Sequence, residues 1–136
     1  MKRQKVLAVD LGRRYIGTAY GFLGMSVAFP LHVHVISDLV VQDAVDILVK
    51  ELADISSNMI VVGQPQRSSD QMFLKFRENV VKSLRSDGYI VEEIDESVST
   101  IEAENRMADS GETDLKSRKD AIAAQILLER YFSSLS

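Results

Sequence analysis

Two short, unbroken apolar runs constrain the fold of this chain more than any other feature: VLAV at residues 6–9 and MIVV at 59–62. A strand with apolar residues on both sides needs cover on both faces, so each run is typical of a central strand in a sheet between helices. The first run begins a series of three predicted strands joined by tight turns, at 5–10, 15–22 and 25–36. The chain therefore starts as an antiparallel three-stranded unit.

The rest of the chain alternates helical and strand patterns. Apolar residues at helical spacing predict a helix that opens at Asp38, a second helix with the capping-box pair Ser68 and Gln71, and a last helix over about 117–132. The strand at 59–62 and a more polar strand at 89–94, nearer an edge, lie between them. Antiparallel strands followed by crossover units indicate an α/β fold, a mixed sheet with helices on both faces.

Composition sets broad limits. With 136 residues, 46% of them apolar and 26% charged, the chain is long enough for one well-buried core, and we expect a single domain over 1–136. Cysteine is absent, which excludes disulfides and thiolate metal sites. No apolar run approaches the length of a membrane span, so we expect a soluble, cytoplasmic protein with no membrane partner. The net charge of −4 argues against a general nucleic-acid coat, but not against an enzyme with an acidic metal centre.

Three acidic residues stand beside the ends of predicted elements. Asp10 ends the first strand, Glu96 follows the last strand, and Asp120 lies in the first turn of the last helix. Ligand sites of open α/β sheets lie at the carboxyl edge of the strands, and a final helix packed across the sheet would bring Asp120 there. Carboxylates gathered at one edge repel one another unless cations neutralise them, and Mg²⁺ or Mn²⁺ prefers such oxygen ligands. Two such ions can activate a water and stabilise the leaving oxygen of a phosphodiester.

Each acid also has a simpler interpretation. Asp10 precedes a glycine-containing hairpin and is compatible with a turn residue. Asp120 lies three residues after Ser117, so it would complete a capping box at a helix N-terminus. Glu96 belongs to an acid-rich segment of the kind that usually faces solvent, and Asp95 competes with it for any ligand role. No acid identifies a metal site by itself.

His32 and His34 form a second possible metal pair. They lie two residues apart on a predicted strand and therefore share one face. The sequence offers no third imidazole and no thiolate to complete a zinc site. We therefore favour a solvent-facing strand surface for this pair.

Four segments in this order resemble the YqgF/RuvX family, ribonuclease H-like proteins described as Holliday junction resolvases or as nucleases that mature the 5′ end of small-subunit ribosomal RNA. The segments are VDLGRRYIGTAYG at 9–21, IVVGQP at 60–65, DESVST at 95–100 and KDAIAAQILLERYF at 119–132. The resemblance implies a five-stranded mixed sheet whose first three strands are antiparallel. It also implies that Asp10, Glu96 and Asp120 are the catalytic acids, which would bind two Mg²⁺ or Mn²⁺ ions.

The chain departs from the family pattern at Ser97, where an arginine usually follows the acidic pair, and at Gln64 and Gln71 in the middle segment. These departures concern substrate positioning more than metal binding. Phosphate contacts would then come from other basic residues, although most single basic residues serve only solubility. The candidates are Arg13, Arg14, Arg67, Lys116, Arg118 and Lys119.

Several functions fit these observations. The first is a metal-dependent nuclease that acts on precursor ribosomal RNA, or alternatively on branched DNA as a Holliday junction resolvase, working as a monomer or a weak homodimer. The second is a degenerate member that binds nucleic acid or ribosomes without cutting, which Ser97 makes credible. The third is a small ATP-binding domain, because VDLG before a hairpin also resembles the phosphate-binding start of the actin, Hsp70 and sugar-kinase group. Those proteins close two such domains on a nucleotide, for which 136 residues leave no room.

Overall fold

The computed structural model describes residues 3–65, 70–95 and 115–135, except for the side chains of 115–118. The strands in these ranges are β1 (Lys5–Leu11), β2 (Tyr15–Phe22), β3 (Ala28–Val35), β4 (Met59–Gln64) and β5 (Ile90–Asp95). The helices in these ranges are α1 (Val41–Asp54), α2 (Gln71–Ser86) and α3 (Leu115–Ser134).

The strands form one sheet in the order β3-β2-β1-β4-β5. The pairs β1–β2 and β2–β3 are antiparallel, whereas β1–β4 and β4–β5 are parallel. The mixed sheet predicted from the sequence is confirmed, with the two apolar runs in adjacent inner strands and the polar β5 at an edge. Because β1, β4 and β5 run in the same direction, their carboxyl ends meet at one edge of the sheet.

Helices cover both faces of the sheet. Leu7 and Val9 of β1 belong to the core cluster under α1 and α2, which includes Leu48. Val6 and Ala8 belong to the cluster on the opposite face, under α3. Successive side chains of β1 therefore pack in two separate apolar layers, one on each face of the sheet, which explains why the run VLAV is apolar throughout.

Two helices begin later than their sequence patterns predict. Helix α1 begins at Val41 rather than at Asp38, because Leu39 has a positive φ of 57° that interrupts a helical start. Helix α2 begins after Asp70, whose carboxylate accepts a hydrogen bond from the backbone N–H of Phe73 at 3.1 Å. Asp70, and not the predicted Ser68, is therefore the N-cap, and Ser68 lies outside the described residues.

Helix α3 extends further toward the N-terminus than predicted. It includes Leu115, so Ser117 lies inside the helix and Asp120 lies beyond its first turn. The capping-box interpretation of Asp120 is therefore wrong, because both of its residues are within the helix. The side chain of Asp120 therefore does not cap the helix N-terminus.

Candidate functional site

Asp10 occupies a strand position and not a turn. It pairs with Gly17 in the β1–β2 ladder, which continues to Leu11 and Ile16. The turn itself closes one step further on, where the backbone N–H of Gly12 donates to the carbonyl of Tyr15 at 3.0 Å. Because Asp10 follows Val6 and Ala8 at even positions, its side chain lies on the face that α3 covers.

Helix α3 crosses this face at Gly17. A Cβ on Gly17 would lie 2.0 Å from the carbonyl oxygen of Asp120, so a side chain at position 17 is incompatible with this packing. Since Gly17 is opposite Asp10 in the ladder, the close approach brings Asp120 to the end of β1. Asp10 and Asp120 line one open pocket of about 330 Å³ together with Gly12, Arg13, Arg14 and Tyr15.

The pocket is unfavourable for the charge of Asp120. Burial raises the pKa of Asp120 above its ordinary value, and the positive charge of Lys119 opposes the rise. A nearby cation stabilises the charged form of a carboxyl group, and the effect is larger when the group is partly removed from water. Two carboxylates at one sheet edge supply the oxygen donors that Mg²⁺ and Mn²⁺ prefer, so the donor set fits such an ion.

The third predicted acid, Glu96, lies outside the described residues, directly after β5. Val62 of β4 is level with Val9 on one side and with Glu93 on the other, so β5 ends at the same edge as β1. Its last residue, Asp95, follows Ile94, which packs in the layer under α3. Alternation therefore directs Asp95 to the opposite face of the sheet from Asp10, which makes Asp95 the weaker candidate for a shared metal.

The basic residues predicted to bind phosphate differ in their surroundings. Arg13 binds both carboxylate oxygens of Asp38 at 3.1 Å and Asp70 at 2.8 Å. The hydrogen bonds that Arg13 donates to Asp38, and then to Asp70, raise the pKa of Arg13. Its guanidinium thus links the β1–β2 turn to the segments before α1 and α2. Arg14 is exposed at the same pocket.

Of the remaining basic candidates, Lys119 is half-buried beside Asp120. Lys116 and Arg118 lie in α3, and Lys116 is one helical turn before Asp120. Their side chains, and Arg67 as a whole, lie outside the described residues.

The histidine pair has a partner that sequence reasoning missed. Nδ1 of His32 and Nε2 of His34 lie 2.8 Å and 2.6 Å from the same carboxylate oxygen of Glu51 on α1. His32 is exposed, as predicted for this strand face, but both imidazoles also contact a buried carboxylate that the sequence reasoning did not consider. A signal was present in the sequence: Glu51 interrupts the apolar stripe of α1 between Leu48 and Leu52.

Within the described ranges no helix is both long and apolar enough to cross a membrane.

A family model described as "RuvX: Holliday junction resolvase" matches residues 4–134. A protein of Dictyoglomus turgidum, named as a candidate pre-16S rRNA nuclease, is 32% identical over 97% of this chain and 96% of its own length. A protein of Malacoplasma penetrans with the same name is 27% identical over 96% of this chain and 94% of its own.

Solved structures resemble the fold at lower identity. RuvC of Thermus thermophilus in complex with a Holliday junction substrate has a TM-score of 0.62 and 17% identity, over 97% of this chain and 95% of its own. The Fowlpox virus resolvase in complex with Holliday junction DNA has a TM-score of 0.59 and 8% identity, over 97% and 99% of the two chains. At these identities the likeness shows a shared ribonuclease H-like architecture.

Proposed function

The chain belongs to the RuvX family, and on that premise we propose that it is a single-domain, divalent-metal-dependent nuclease that hydrolyses phosphodiester bonds. The substrate that we favour is the 5′ end of precursor 16S ribosomal RNA, in ribosome biogenesis in the cytoplasm. The names of the relatives from Dictyoglomus turgidum and Malacoplasma penetrans support this choice. A monomer is sufficient for this reaction, because one strand is cut at one place.

The observation that carries the proposal is the juxtaposition of Asp10 and Asp120 at the carboxyl edge of the sheet, across Gly17. We propose that Asp10, Asp120 and Glu96 are the catalytic acids and would hold two Mg²⁺ or Mn²⁺ ions. When bound, these ions would lower the pKa of a water and stabilise negative charge on the phosphate. The carboxylates would hold the cations at the sheet edge. The sequence predicts that Gly12 and Gly17 leave room for a phosphate backbone, but the space beside Gly17 is filled by the backbone of α3 at Asp120, so Gly17 serves the approach of the helix and not of the substrate.

Basic residues beside the acids would hold the phosphates of the substrate. Arg14 faces the pocket, and Lys116, Arg118 and Lys119 precede Asp120 on α3. Arg67 follows β4 and is a further candidate. Arg13 would contribute by fixing the turn that carries Arg14, because its own guanidinium is engaged with Asp38 and Asp70.

A second candidate function is resolution of branched DNA, which the description of the family model favours. A resolvase cuts two strands symmetrically, so it would require a dimer, and the weak homodimer expected from the sequence belongs to this alternative. A third is binding to nucleic acid without cutting. All three functions would use the same nucleic-acid-binding surface. They differ in whether cut RNA, symmetrically cut junctions or no cleavage products are formed.

The experiment is incubation of the pure protein with labelled precursor 16S RNA and with a synthetic four-way junction, each in Mg²⁺, Mn²⁺, Ca²⁺ or EDTA. We expect cleavage of the RNA in Mg²⁺ or Mn²⁺, and none in EDTA or with Asp10→Asn or Asp120→Asn. Asp46→Asn is the matched control, because Asp46 is exposed on α1 and its change removes the same charge elsewhere. Symmetric junction cuts without RNA cleavage would establish the resolvase. Binding without products would establish the degenerate module, and neither binding nor products would overturn the function.

A further inference from the structure

A buried glutamate and two histidines form a cluster on the face of the sheet that α1 covers. Thr18 of β2 follows Gly17, so its side chain lies on the opposite face from the acid pair. There its hydroxyl donates to the Oε1 atom of Glu51 at 3.1 Å. The cluster is therefore separated from Asp10 by the thickness of the sheet.

Glu51 has the position of a core residue. Its side chain is 5% exposed, and it lies between buried apolar residues of α1. A carboxylate in such a place is costly unless it is paired. The two imidazoles and the Thr18 hydroxyl all meet it at one oxygen, Oε1.

An irregularity in the β2–β3 ladder positions the histidines. The register shifts between Gly17 and Ala19, so Thr18 lies at a bulge. The backbone N–H of His32 donates to the Thr18 hydroxyl at 3.2 Å, which fixes the strand beside the bulge. Bulges of this kind redirect side chains and are common next to sites. Both imidazoles then reach the same carboxylate on α1.

The geometry points to a binding site for one transition-metal ion of the Zn²⁺ class, and we propose Nδ1 of His32, Nε2 of His34 and the Glu51 carboxylate as its ligands. One donor atom from each of these three residues lies within 4.8 Å of the other two. In a tetrahedral zinc site, donors at about 2.0–2.1 Å from the ion are separated from each other by about 3.3 Å. Small side-chain movements therefore convert the hydrogen-bonded cluster into a ligand set.

The donor chemistry distinguishes this ion from the one expected at the acid pair. Two imidazoles and one carboxylate suit Zn²⁺, whereas a set of carboxylates suits Mg²⁺ or Mn²⁺. The His32 side chain is 60% exposed, so water can reach the ion as a fourth ligand. Binding requires each donor nitrogen to present a lone pair, so the ring proton moves to the other nitrogen of the same imidazole.

The consequence of binding would be mechanical. His32 and His34 lie on β3, which is at one edge of the sheet, and Glu51 lies on α1. An ion held by all three would tie the edge strand to the helix that covers it. Since the ion binds only the folded arrangement, it would raise the melting temperature of the protein.

The test is equilibrium dialysis of the metal-free full chain against Zn²⁺ in excess Mg²⁺, with Co²⁺ as a spectroscopic probe of a tetrahedral site. We expect one Zn²⁺ per chain and a rise in melting temperature. His34→Gln and His32→Gln should each weaken binding by more than about 100-fold, because loss of an outer-shell partner alone costs about 10–100-fold. Asp10→Asn is the control, since it alters the acid pair and should leave Zn²⁺ binding unchanged.

The exposed position of His32 keeps the test decisive if His34→Gln does not fold. Equal Zn²⁺ affinity in the wild type and in folded His32→Gln would overturn the proposal, and so would the absence of Zn²⁺ binding to the wild type. Loss of binding in Asp10→Asn alone would place the ion at the acid pair and would equally overturn it. None of these outcomes depends on nuclease activity, so the experiment tests the metal site independently of the proposed function.

Discussion

The backbone of Asp120 lies against Gly17, where a Cβ would come within 2.0 Å of the Asp120 carbonyl oxygen. A side chain that meets backbone atoms cannot be accommodated by a rotamer change, so the helix itself would have to move. Because Gly17 is paired with Asp10, the missing side chain is a condition for bringing the two acids together.

Gly17→Ala should displace α3 and separate the acid pair. We expect a loss of about 1–3 kcal/mol in the free energy of unfolding, as for other overpacked sites, together with loss of cleavage. Urea unfolding and the cleavage assay measure the two effects. Gly21→Ala is the matched comparison on the same strand, because its Cβ would meet the Phe132 ring of α3 at 2.8 Å and the Val27 carbonyl oxygen at 3.0 Å. It therefore strains the packing of the same helix away from the acid pair and should reduce stability with less effect on cleavage. Cleavage at the wild-type rate by Gly17→Ala would contradict the proposed site.

Asp10→Asn should not destabilise the metal-free protein. Two carboxylates that came within about 5 Å of each other to share a metal would repel, at an effective dielectric of about 20, by roughly 3 kcal/mol, an upper figure because one of them can take up a proton. Because Asp10→Asn removes one of these charges, its melting temperature in EDTA should be equal to or higher than that of the wild type. It should also reduce the rise in melting temperature caused by Mg²⁺ or Mn²⁺.

Differential scanning fluorimetry with Asp46→Asn as control measures the effect of Asp10→Asn. If Asp10 instead serves the fold through hydrogen bonds, its replacement should cost on the order of 1 kcal/mol. A mutant that is less stable in EDTA and still cleaves would show that the active site lies elsewhere.

Joint replacement of Lys116, Arg118 and Lys119 by alanine should weaken nucleic-acid binding and make it less dependent on salt. Each phosphate contact contributes about 0.9 to the slope of log affinity against log salt on duplex DNA, so the slope should fall by about 2 to 3. Fluorescence anisotropy at several salt concentrations measures it. The control replaces three exposed lysines on α1 and α2, with the same change in net charge: Lys50, Lys75 and Lys82. An equal loss in both triple variants would indicate a general charge effect.

Asp70→Asn should reduce stability in a pH-dependent way. The backbone N–H of Phe73, and then Arg13, hold the pKa of Asp70 below its ordinary value of 3.8. A group with a depressed pKa in the folded state contributes stability that is present above 3.8 and is lost as the pH falls through the lower folded value. Asparagine retains the helix cap, so only this charge-dependent part should disappear.

Urea unfolding of the wild type and Asp70→Asn, from neutral pH to below 3.8, measures the effect. The wild type should be more stable at neutral pH, and the two should converge in acid. A difference that persists unchanged in acid would mean that cap geometry, and not charge, is the cause.

The layered fold and the place of Asp10 at the sheet edge follow from local sequence patterns. Runs such as VLAV and MIVV predict central strands, because alternation along a strand is a local property of the chain. The position of Asp10 at the end of such a strand follows from the same pattern. The pattern predicts the start of α1 at Asp38, which is too early, because Leu39 has a positive φ that interrupts the helix and donates its N–H to the carbonyl of Arg13, a remote residue, at 3.1 Å.

Which side chains meet depends on tertiary packing. Gly17 and Asp120 are far apart in sequence, and their contact depends on how closely α3 packs on the sheet. The separation of Thr18 from Glu51 is 33 residues, and no spacing rule relates a strand hydroxyl to a glutamate on the covering helix. The physical reason is that periodicity reports which face a residue occupies, whereas the partner on that face is set by the packing of elements that are remote in the chain.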